Sequence, residues 1–352
     1  MPWLTEWQYR KSHEIIGSPT EAQTDYQVRV VVHYGSGTDS GEDVYLNGKC
    51  KSDFGDIRFT DGGGETELPY WMEEKVDGDY AVFWVKVPSI PASPDTATIY
   101  IYYGNPSATT TSNGEATFLF FDDFEEGNLN KWVLDEGDGD ISLYSTNPIE
   151  GAYSIKLHQP VNNYDHVFCY ENVERGDIAI HANVKMLSRV DAGLALLIAR
   201  FDGNRYPATG TNRRPAHAYS AGICVRDQKA RIVKYANDEY VLEDVSFACS
   251  LNTIYDLEFR LFGSTLRLII NGEEIVNVND STYSSGYSGL HICESETIFD
   301  VVYIRKYVDP EPSHGVWGSE ETVPVIVVIE RFQEEGVDFR ETKFGATWTH
   351  PH

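Results

Sequence analysis

Short apolar runs that alternate with polar residues recur through the first third of the chain. They cover residues 27–32, 56–60, 81–87 and 98–103, and glycines 62–64 and the prolines between 88 and 94 separate them. Alternation with a period of two is typical of a strand with one buried face, and glycine and proline mark turns. No long amphipathic helical pattern interrupts the series. Residues 1–106 are therefore predicted to form an antiparallel β-sandwich.

A second series of strand-like runs follows a segment rich in serine and threonine. Residues 107–116 are predicted to be a linker, because this composition cannot pack a core. Beyond it, strand-like runs occur at 151–157, 255–260, 268–276 and 299–304. Asn271-Gly272 lies between alternating apolar residues, which is a strong signal for a two-residue hairpin turn. The fold class is predicted to be all-β, with a second domain at 117–320.

Five motifs of the first domain resemble an uncharacterised domain family found near the N-terminus of many microbial and viral surface proteins. This family has no established activity, so the resemblance implies no function for the chain. It rests on Trp7-x-Tyr9-Arg10, Asp56-Ile57-Arg58-Phe59-Thr60, Leu68-Pro69-Tyr70-Trp71, Trp84-Val85-Lys86-Val87-Pro88 and Ile101-Tyr102-Tyr103-Gly104-Asn105-Pro106.

The order of strand-like runs in the second domain is similar to that of the concanavalin A-like, laminin G-like jelly roll. This resemblance implies two packed antiparallel sheets of roughly a dozen strands. The superfamily includes lectins, carbohydrate-binding modules, glycosidases and structural spacers. The fold alone therefore does not decide the function.

A strand-like run with no domain left to join begins the C-terminal tail, residues 321–352. Its apolar residues lie on both faces, so we expect the run to be buried against another chain, by addition of a strand to a neighbouring sheet. A head-to-tail contact of this kind generates a filament unless it closes into a ring. A tail that folds back onto its own second domain is the alternative. The predicted assembly residues are Val323, Val325, Ile326, Val327, Val328 and Ile329.

The sequence thus favours a non-catalytic structural subunit of an extracellular filament or virion fibre, exposed on a cell or virion surface, whose partner is another copy of itself. The formal charge of −27, from 55 acidic and 28 basic residues, argues against binding to nucleic acid or to anionic membranes. No segment approaches the ~20 apolar residues of a membrane-spanning helix. Five cysteines are too few for a disulfide scaffold, and Cys50, between two lysines, is the one expected to be exposed.

A carbohydrate-binding surface adhesin is the alternative function, with cell-surface glycans as partners. Sugars are bound by aromatic faces and planar polar groups, and long loops that carry such residues are often functional. Residues 162–166 form one such loop, and a longer one spans 202–219. The competing interpretation is that these loops pack against the first domain or against another subunit. The candidate glycan-binding residues are Arg205, Tyr206, Asn212, Arg213, His217 and Tyr219.

Glycoside hydrolysis is a distant third possibility. It needs two carboxyl groups on either side of the scissile bond, and the chain has no Glu-x-Asp-x-x-Glu strand of the kind found in hydrolases of this fold. Asp256 and Glu258 share one strand face, but Glu258 alternates with apolar neighbours as an ordinary outward residue does. The chain is therefore predicted not to be an enzyme.

Calcium is the one cofactor that the sequence brings into consideration. Eight carboxylates and a single lysine lie between Asp122 and Asp140, and hard oxygen ligands suit Ca²⁺. Some jelly rolls that the second domain resembles hold calcium between the two ends of the fold. Asp123 and Asp300 are the matching candidates here, although an acidic segment of this kind is more often a plain polar turn.

Overall fold

The computed structural model describes residues 3–160, 165–207 and 212–323. This part of the chain is built almost entirely of β-strands, which confirms the predicted fold class. Its one α-helix, α1 (Gly114–Thr117), has four residues. No helix within the described ranges is long and apolar enough to cross a membrane.

The first sandwich is formed by two small sheets. Its N-terminal strands are β1 (Tyr9–Ile16), β2 (Gln23–His33), β3 (Asp43–Tyr45), β4 (Arg58–Asp61), β5 (Tyr70–Val76), β6 (Tyr80–Ile90) and β7 (Thr96–Tyr103). One sheet contains β1, β7 and β4, and the other has the order β3-β2-β6-β5. The β2–β3 pair is parallel.

Alternate residues of these strands fill the space between the two sheets. Val30 of β2 and Phe83 of β6 are fully buried there. Cys50 belongs to the same apolar cluster, together with Leu46 and Phe54, and is only 7% exposed. The expectation of an exposed Cys50 was wrong, because the turn that carries it folds into the core despite its flanking lysines.

The second sandwich contains most of the remaining strands. They are β8 (Phe120–Asp122), β9 (Trp132–Asp135), β10 (Asp140–Tyr144), β11 (Ser154–His158), β12 (His166–Arg175), β13 (Ile178–Phe201), β14 (Arg205–Tyr206), β15 (Arg214–Pro215), β16 (His217–Cys224), β17 (Lys229–Ala236), β18 (Glu239–Ser246), β19 (Ile254–Phe262), β20 (Thr265–Ile270), β21 (Glu273–Asn279) and β22 (Gly286–Lys306). The β20–β21 turn is the predicted two-residue hairpin, with positive φ at Asn271 and Gly272.

Two long strands, β13 and β22, run through both layers of this sandwich. They pair antiparallel along their whole length, from Ile178 opposite Lys306 to Phe201 opposite Tyr287. In one layer their neighbours are β12 and β16, followed outward by β9, β17 and β18. In the other layer their neighbours are β8, β11 and β19, followed by β10, β20 and β21. A large apolar cluster fills the space between, as expected for a jelly roll.

After β22 the chain returns to the first sandwich. β23 (Ser313–Trp317) and β24 (Glu321–Thr322) pair with the edge of β1, where His13 lies opposite Trp317 and Tyr9 opposite Thr322. Residues 313–320, which were expected in the second domain, therefore lie along the first. An open strand edge presents unpaired backbone groups, which the returning chain satisfies. Apolar and polar residues do not alternate clearly in the run 313–317, so its sequence does not predict a strand.

Side chains reinforce this return. The Trp317 indole stacks on the buried His13 ring with 3.7 Å between centroids, and His13 Nε2 lies 2.8 Å from His314 Nδ1. Arg10 Nη2 forms an ion pair with Glu321 at 2.7 Å. Burial, together with the charge of His314, lowers the pKa of His13 to about 3. The ring is therefore neutral at pH 7.

The Ser/Thr-rich segment 107–116 is fastened to the first sandwich. Arg58 Nη2 donates to Thr109 O at 2.6 Å, and the Tyr70 hydroxyl accepts from Thr111 N at 2.9 Å. Asn113 then caps α1, because its side chain accepts a hydrogen bond from the helix backbone at 2.9 Å. These contacts hold the segment against a core that other residues build.

An aromatic cluster joins the two sandwiches. Trp71 and Trp84 of the first meet Phe118, Phe121 and Tyr303 of the second, and Phe118 stacks on Tyr303 with 4.3 Å between centroids. Every ring except that of Trp71 is less than a tenth exposed. Burial of this much aromatic surface makes the interface resemble a small core.

Buried charges lie beside the aromatic cluster. Arg305 donates to Glu258 at 2.7 Å and to Glu311 at 2.6 Å, and the Tyr26 hydroxyl of the first sandwich donates to Glu311 at 2.6 Å. Glu258 is only 7% exposed, so the expectation of an ordinary outward residue was wrong. Burial alone would raise the pKa of Glu258, but Arg305 and Arg260 lower it to about 2.

Removal of the Trp84 side chain should destabilise the interface. Because Trp84 is 8% exposed, Trp84→Ala is expected to cost about 3–5 kcal/mol in the free energy of unfolding. Urea denaturation followed by tryptophan fluorescence measures this loss. Val316→Ala is the control, since Val316 is 69% exposed and should change stability by less than about 0.5 kcal/mol. Equal unfolding curves for the two variants would contradict a packed interface.

Candidate functional site

One layer of the second sandwich has an outer face that points away from the core and is covered by loops. Residues directly opposite each other in antiparallel strands share a face. This pairing places His166, Cys293 and Leu194 in one row of the outer face, with Phe168 and His291 in the next. Phe168 and His291 are fully buried. The loops therefore close over the face instead of leaving it as an open groove.

Arg205 fastens the β14–β15 hairpin to the outer face. Its guanidinium lies 4.3 Å from the centroid of the Phe168 ring, and it donates to Asp135 Oδ1 at 2.5 Å and to His166 O at 2.6 Å. Tyr206, the next residue, is 48% exposed and lies opposite Arg214 in the hairpin. The hairpin thus has a buried anchor and an exposed aromatic ring.

Arg213 and Asp165 fasten the other side of the same loop. Asp165 is fully buried and accepts from the backbone N–H of Arg213 at 2.7 Å and from its Nη2 at 2.8 Å. The same Nη2 lies 2.7 Å from Asp138 Oδ1. The hydrogen bonds to Asp165 help to raise the pKa of Arg213. This ion-paired cluster fixes the backbone at Arg213.

A small polar pocket lies between these loops and the outer face. Its volume is about 120 Å³. Three guanidinium groups, one carboxyl group, one imidazole, one amide and one thiol contribute to its wall, from strands far apart in the sequence. The lining residues are His166, Ala192, Leu194, Asn212, Arg214, Arg226, Arg231, Glu239 and Cys293.

Carboxylates outside the pocket wall orient its three arginines. Arg214 Nη1 donates to Asp238 at 2.5 Å, and Arg214 Nη2 donates to Asn212 Oδ1 at 2.6 Å. Arg226 and Arg231 both donate to Asp227, at 2.8 Å and 3.1 Å. The side chain of Arg231 is 10% exposed, and its Nε has no hydrogen-bond partner within the described residues.

A chain of hydrogen bonds leads from Ser220 through His291 to His166. His291 Nδ1 lies 3.0 Å from Ser220 Oγ, and His291 Nε2 lies 2.7 Å from His166 Nδ1. Burial, with the charge of Arg205, lowers the pKa of His291 to about 3, and burial also lowers that of His166. Both rings are neutral, so each has one donor and one acceptor nitrogen. The direction of the Ser220 hydroxyl therefore decides whether His166 Nε2 donates or accepts.

Glu239 supplies the carboxyl group of the pocket wall. Its Oε2 accepts from the hydroxyl of Tyr235 at 3.3 Å. Burial raises the pKa of Glu239, while Arg231 and Arg214 act in the opposite direction. The carboxyl group therefore takes up a proton more readily than an exposed glutamate.

The structure places the six candidate glycan-binding residues in different surroundings. Asn212 lines the pocket, Tyr206 lies on the hairpin beside it, and Arg205 and Arg213 hold the loop. His217 Nδ1 lies 2.8 Å from Asp202 Oδ2. Tyr219 is fully buried in the core on the opposite side of the layer, where its hydroxyl donates to Asp280 Oδ1 at 2.5 Å. Of the six, only Asn212 lines the pocket, and Tyr206 lies opposite Arg214, which also lines it.

Most of the pocket residues were not proposed as site residues from the sequence. Among the polar ones, Arg226, Arg231, Glu239 and Cys293 come from the turn after β16 and from β17, β18 and β22, and no motif links them. His166 and Arg214 were included only as members of candidate loops. Strand register is what brings these side chains together, and periodicity along one strand does not reveal register.

Of the two calcium candidates, Asp300 lies within β22, and Asp123 directly follows β8, the strand that pairs with β22 at Val302 and Asp122. Asp300 is 1% exposed, and its Oδ2 accepts from Ser154 Oγ at 2.7 Å and from Glu150 N at 3.0 Å. Burial raises the pKa of Asp300 to about 6. Asp123 accepts from Glu125 N at 3.3 Å. Across the described ranges, no group of three His, Cys, Asp or Glu side chains is arranged to hold a metal ion, and calcium binding stays a prediction.

Most of the predicted assembly strand lies outside the described residues. This holds for Val325, Ile326, Val327, Val328 and Ile329. Val323 is described: it is 47% exposed, and its N–H donates to Gln8 O at 3.0 Å. The start of the tail thus continues the sheet of its own chain, and filament assembly stays a prediction.

Part of the chain matches a known family model. Residues 53–135 match the family described as Domain of unknown function (DUF2341). Four of the five motifs noted above begin within this range, whereas Trp7-x-Tyr9-Arg10 precedes it. The match also continues through 107–116 into β8 and β9, so the resemblance to an uncharacterised family is confirmed in part. Comparison with curated proteins gives no significant match.

Solved structures with similar folds cover about half of the chain. Carbohydrate binding module CBM66 from Bacillus subtilis has 16% identity and a TM-score of 0.41, covering 51% of this chain and 98% of its own. Cellulose induced protein Cip1 has 18% identity and a TM-score of 0.42, covering 53% and 97%. A Bacillus licheniformis β-glucanase has 13% identity and a TM-score of 0.38, covering 53% and 98%. At these scores the likenesses do not bear on function.

The buried His291 should make the protein sensitive to acid. An unfolded histidine takes up a proton near pH 6.5, whereas folded His291 resists protonation until about pH 3, so stability falls as the pH drops below 6.5. This single ring accounts for a loss of about 2 kcal/mol between pH 7.5 and pH 5. In the His291→Gln variant, which keeps a polar group beside Ser220, that share of the loss should disappear. Urea titrations at both pH values measure it, and equal losses in both proteins would contradict the assignment.

Proposed function

We propose that the second sandwich binds a carbohydrate in the pocket of its outer face, and that the protein displays this site outside the cell. The pocket beneath the β14–β15 hairpin is the observation that carries this proposal. A sugar presents hydroxyl groups that both donate and accept hydrogen bonds, and its C–H faces pack on aromatic rings. The pocket wall offers donors in Arg214 and Arg231, acceptors in Glu239 and Asn212, and Tyr206 nearby.

The size of the pocket favours one sugar unit over a long chain. Its 120 Å³ is well below the ~300–1,000 Å³ of sites that enclose drug-sized ligands. A single terminal or branching sugar fits this description, with the rest of the glycan directed to solvent past the exposed ring of Tyr206. The Arg205 side chain, 9% exposed, and the fully buried Asp165 hold Tyr206 and Arg213 near the pocket before the ligand arrives, which lowers the entropy cost of binding.

We expect binding without hydrolysis. Hydrolysis of a glycoside uses two carboxyl groups about 5–10 Å apart. Glu239 is the one carboxyl group among the described residues that line the pocket. Asp256 and Glu258, which share a strand face in the sequence, lie in the other layer, where Glu258 is occupied by Arg305.

The role of the hairpin ring can be tested with two matched tyrosine variants. Tyr206 and Tyr240 are 48% and 51% exposed, but Tyr240 follows Glu239 in β18 and so projects from the opposite face of that strand. A glycan array identifies ligands of the full chain, and calorimetry then measures their affinity. Tyr206→Ala should weaken binding by about tenfold through loss of the aromatic contact, and Tyr240→Ala should leave it unchanged. A wild-type chain that binds no glycan, or equal affinities for both variants, would refute the site.

A further inference from the structure

We propose that the sugar bound in this pocket carries an oxyanion, as an acidic sugar with a carboxylate or a sulfate ester does. This inference rests on the proposed function and names its ligand class. The pocket wall departs sharply from the composition of the chain. Three of its nine lining residues are arginine, although lysine and arginine together make up only 28 of 352 residues and the net charge is −27. A pocket lined by three cationic side chains is unexpected in a protein with this net charge, and we attribute it to the ligand.

The three arginines reach the pocket from separate elements. Arg214 belongs to the hairpin, Arg226 to the turn after β16, and Arg231 to β17. A guanidinium group presents a planar fork of N–H donors that matches a carboxylate or sulfate, and it stays charged at any physiological pH. Groups that approach one small volume from several elements surround an anion better than a row of cations along one strand.

The hydrogen bonds of these arginines leave capacity for a ligand. Asp227, Asp238 and Asp191 orient the three guanidinium groups, but none of these carboxylates lines the pocket. Arg231, with its side chain only a tenth exposed, hydrogen bonds through Nη2 within the described residues. A buried guanidinium with unused donors gains when an acceptor enters. The acids thus act as holders of the arginines, and the pocket side stays open to an anion.

The other polar groups of the wall are compatible with an anionic ligand. His166 is neutral and offers one donor or one acceptor to a sugar hydroxyl, as the Ser220–His291 chain directs. Glu239 is the single group that would repel an anion when ionised. The inference therefore predicts two opposite effects on the affinity for an acidic sugar. Removal of an arginine charge should weaken binding, and removal of the Glu239 charge should strengthen it.

Calorimetry on the full chain tests these predictions. The probes are oligosaccharides that end in glucuronate or galacturonate, the same oligosaccharides ending in glucose or galactose, and a sulfated glucose. Wild type should bind an acidic member at least about tenfold more tightly than its neutral counterpart, since a charge-assisted hydrogen bond adds that much. The preference should shrink when NaCl is raised, because salt screens the charges.

Three variants complete the test. Arg214→Gln should weaken acidic sugars at least about tenfold more than their neutral counterparts, which lose only one uncharged hydrogen bond, while Glu239→Gln should raise the affinity ratio of acidic to neutral sugars. Arg189→Gln is the control, because Arg189 is exposed and does not line the pocket. Preference for a carboxylate or for a sulfate supports the inference and identifies the source of the oxyanion. Equal affinities for acidic and neutral sugars overturn it while glycan binding stands, and binding of no sugar at all removes the proposed function itself.

Discussion

The antiparallel pairing of β13 with β22 is the constraint on which the second sandwich depends. Both strands pass from one layer to the other, so their register fixes the position of every strand that pairs beside them. It also sets the rows of side chains on the outer face, where Cys293 and Leu194 become neighbours of His166. A slip of one residue would turn His291 and Cys293 into the core. The core and the pocket are therefore specified by the same contacts.

The proposed site is made by covering a sheet face that is itself largely apolar. Phe168, Ile198 and Tyr235 form a buried floor on that face, and ion-paired loops close over it. Arg205 links the two, since it lies over Phe168 while it hydrogen bonds to the loops. Pairing recovers part of the cost of burying these charges, and it ties Arg205 and Arg213 to the sheet. A polar pocket at the edge of an apolar floor is the result.

Local patterns in the sequence predict the strands well, and long-range pairing escapes them. The Asn271-Gly272 turn and the alternating runs of both sandwiches have local causes, and they occur as predicted. The pairing of residues 313–322 with β1 has no local cause, because these residues hydrogen bond to a strand edge about three hundred residues earlier in the chain. The burial of Glu258 was not predicted for the same reason, since the Arg305 that forms an ion pair with it belongs to a strand far away in the sequence. The pocket arginines were missed because only register gathers them, whereas the candidate loop beside them was recognisable from its composition.

The return of the chain to β1 imposes an order on folding. Every strand of the second sandwich lies between β1 and the strands that complete the edge of β1, so that edge stays open until residue 322 has been synthesised. Closing so long a connection costs little more entropy than a medium one if the intervening residues have already folded into a compact unit. The second sandwich, whose strands are contiguous in sequence, is thus expected to form first on the ribosome. The first sandwich, although it is translated earlier, would be the last to close.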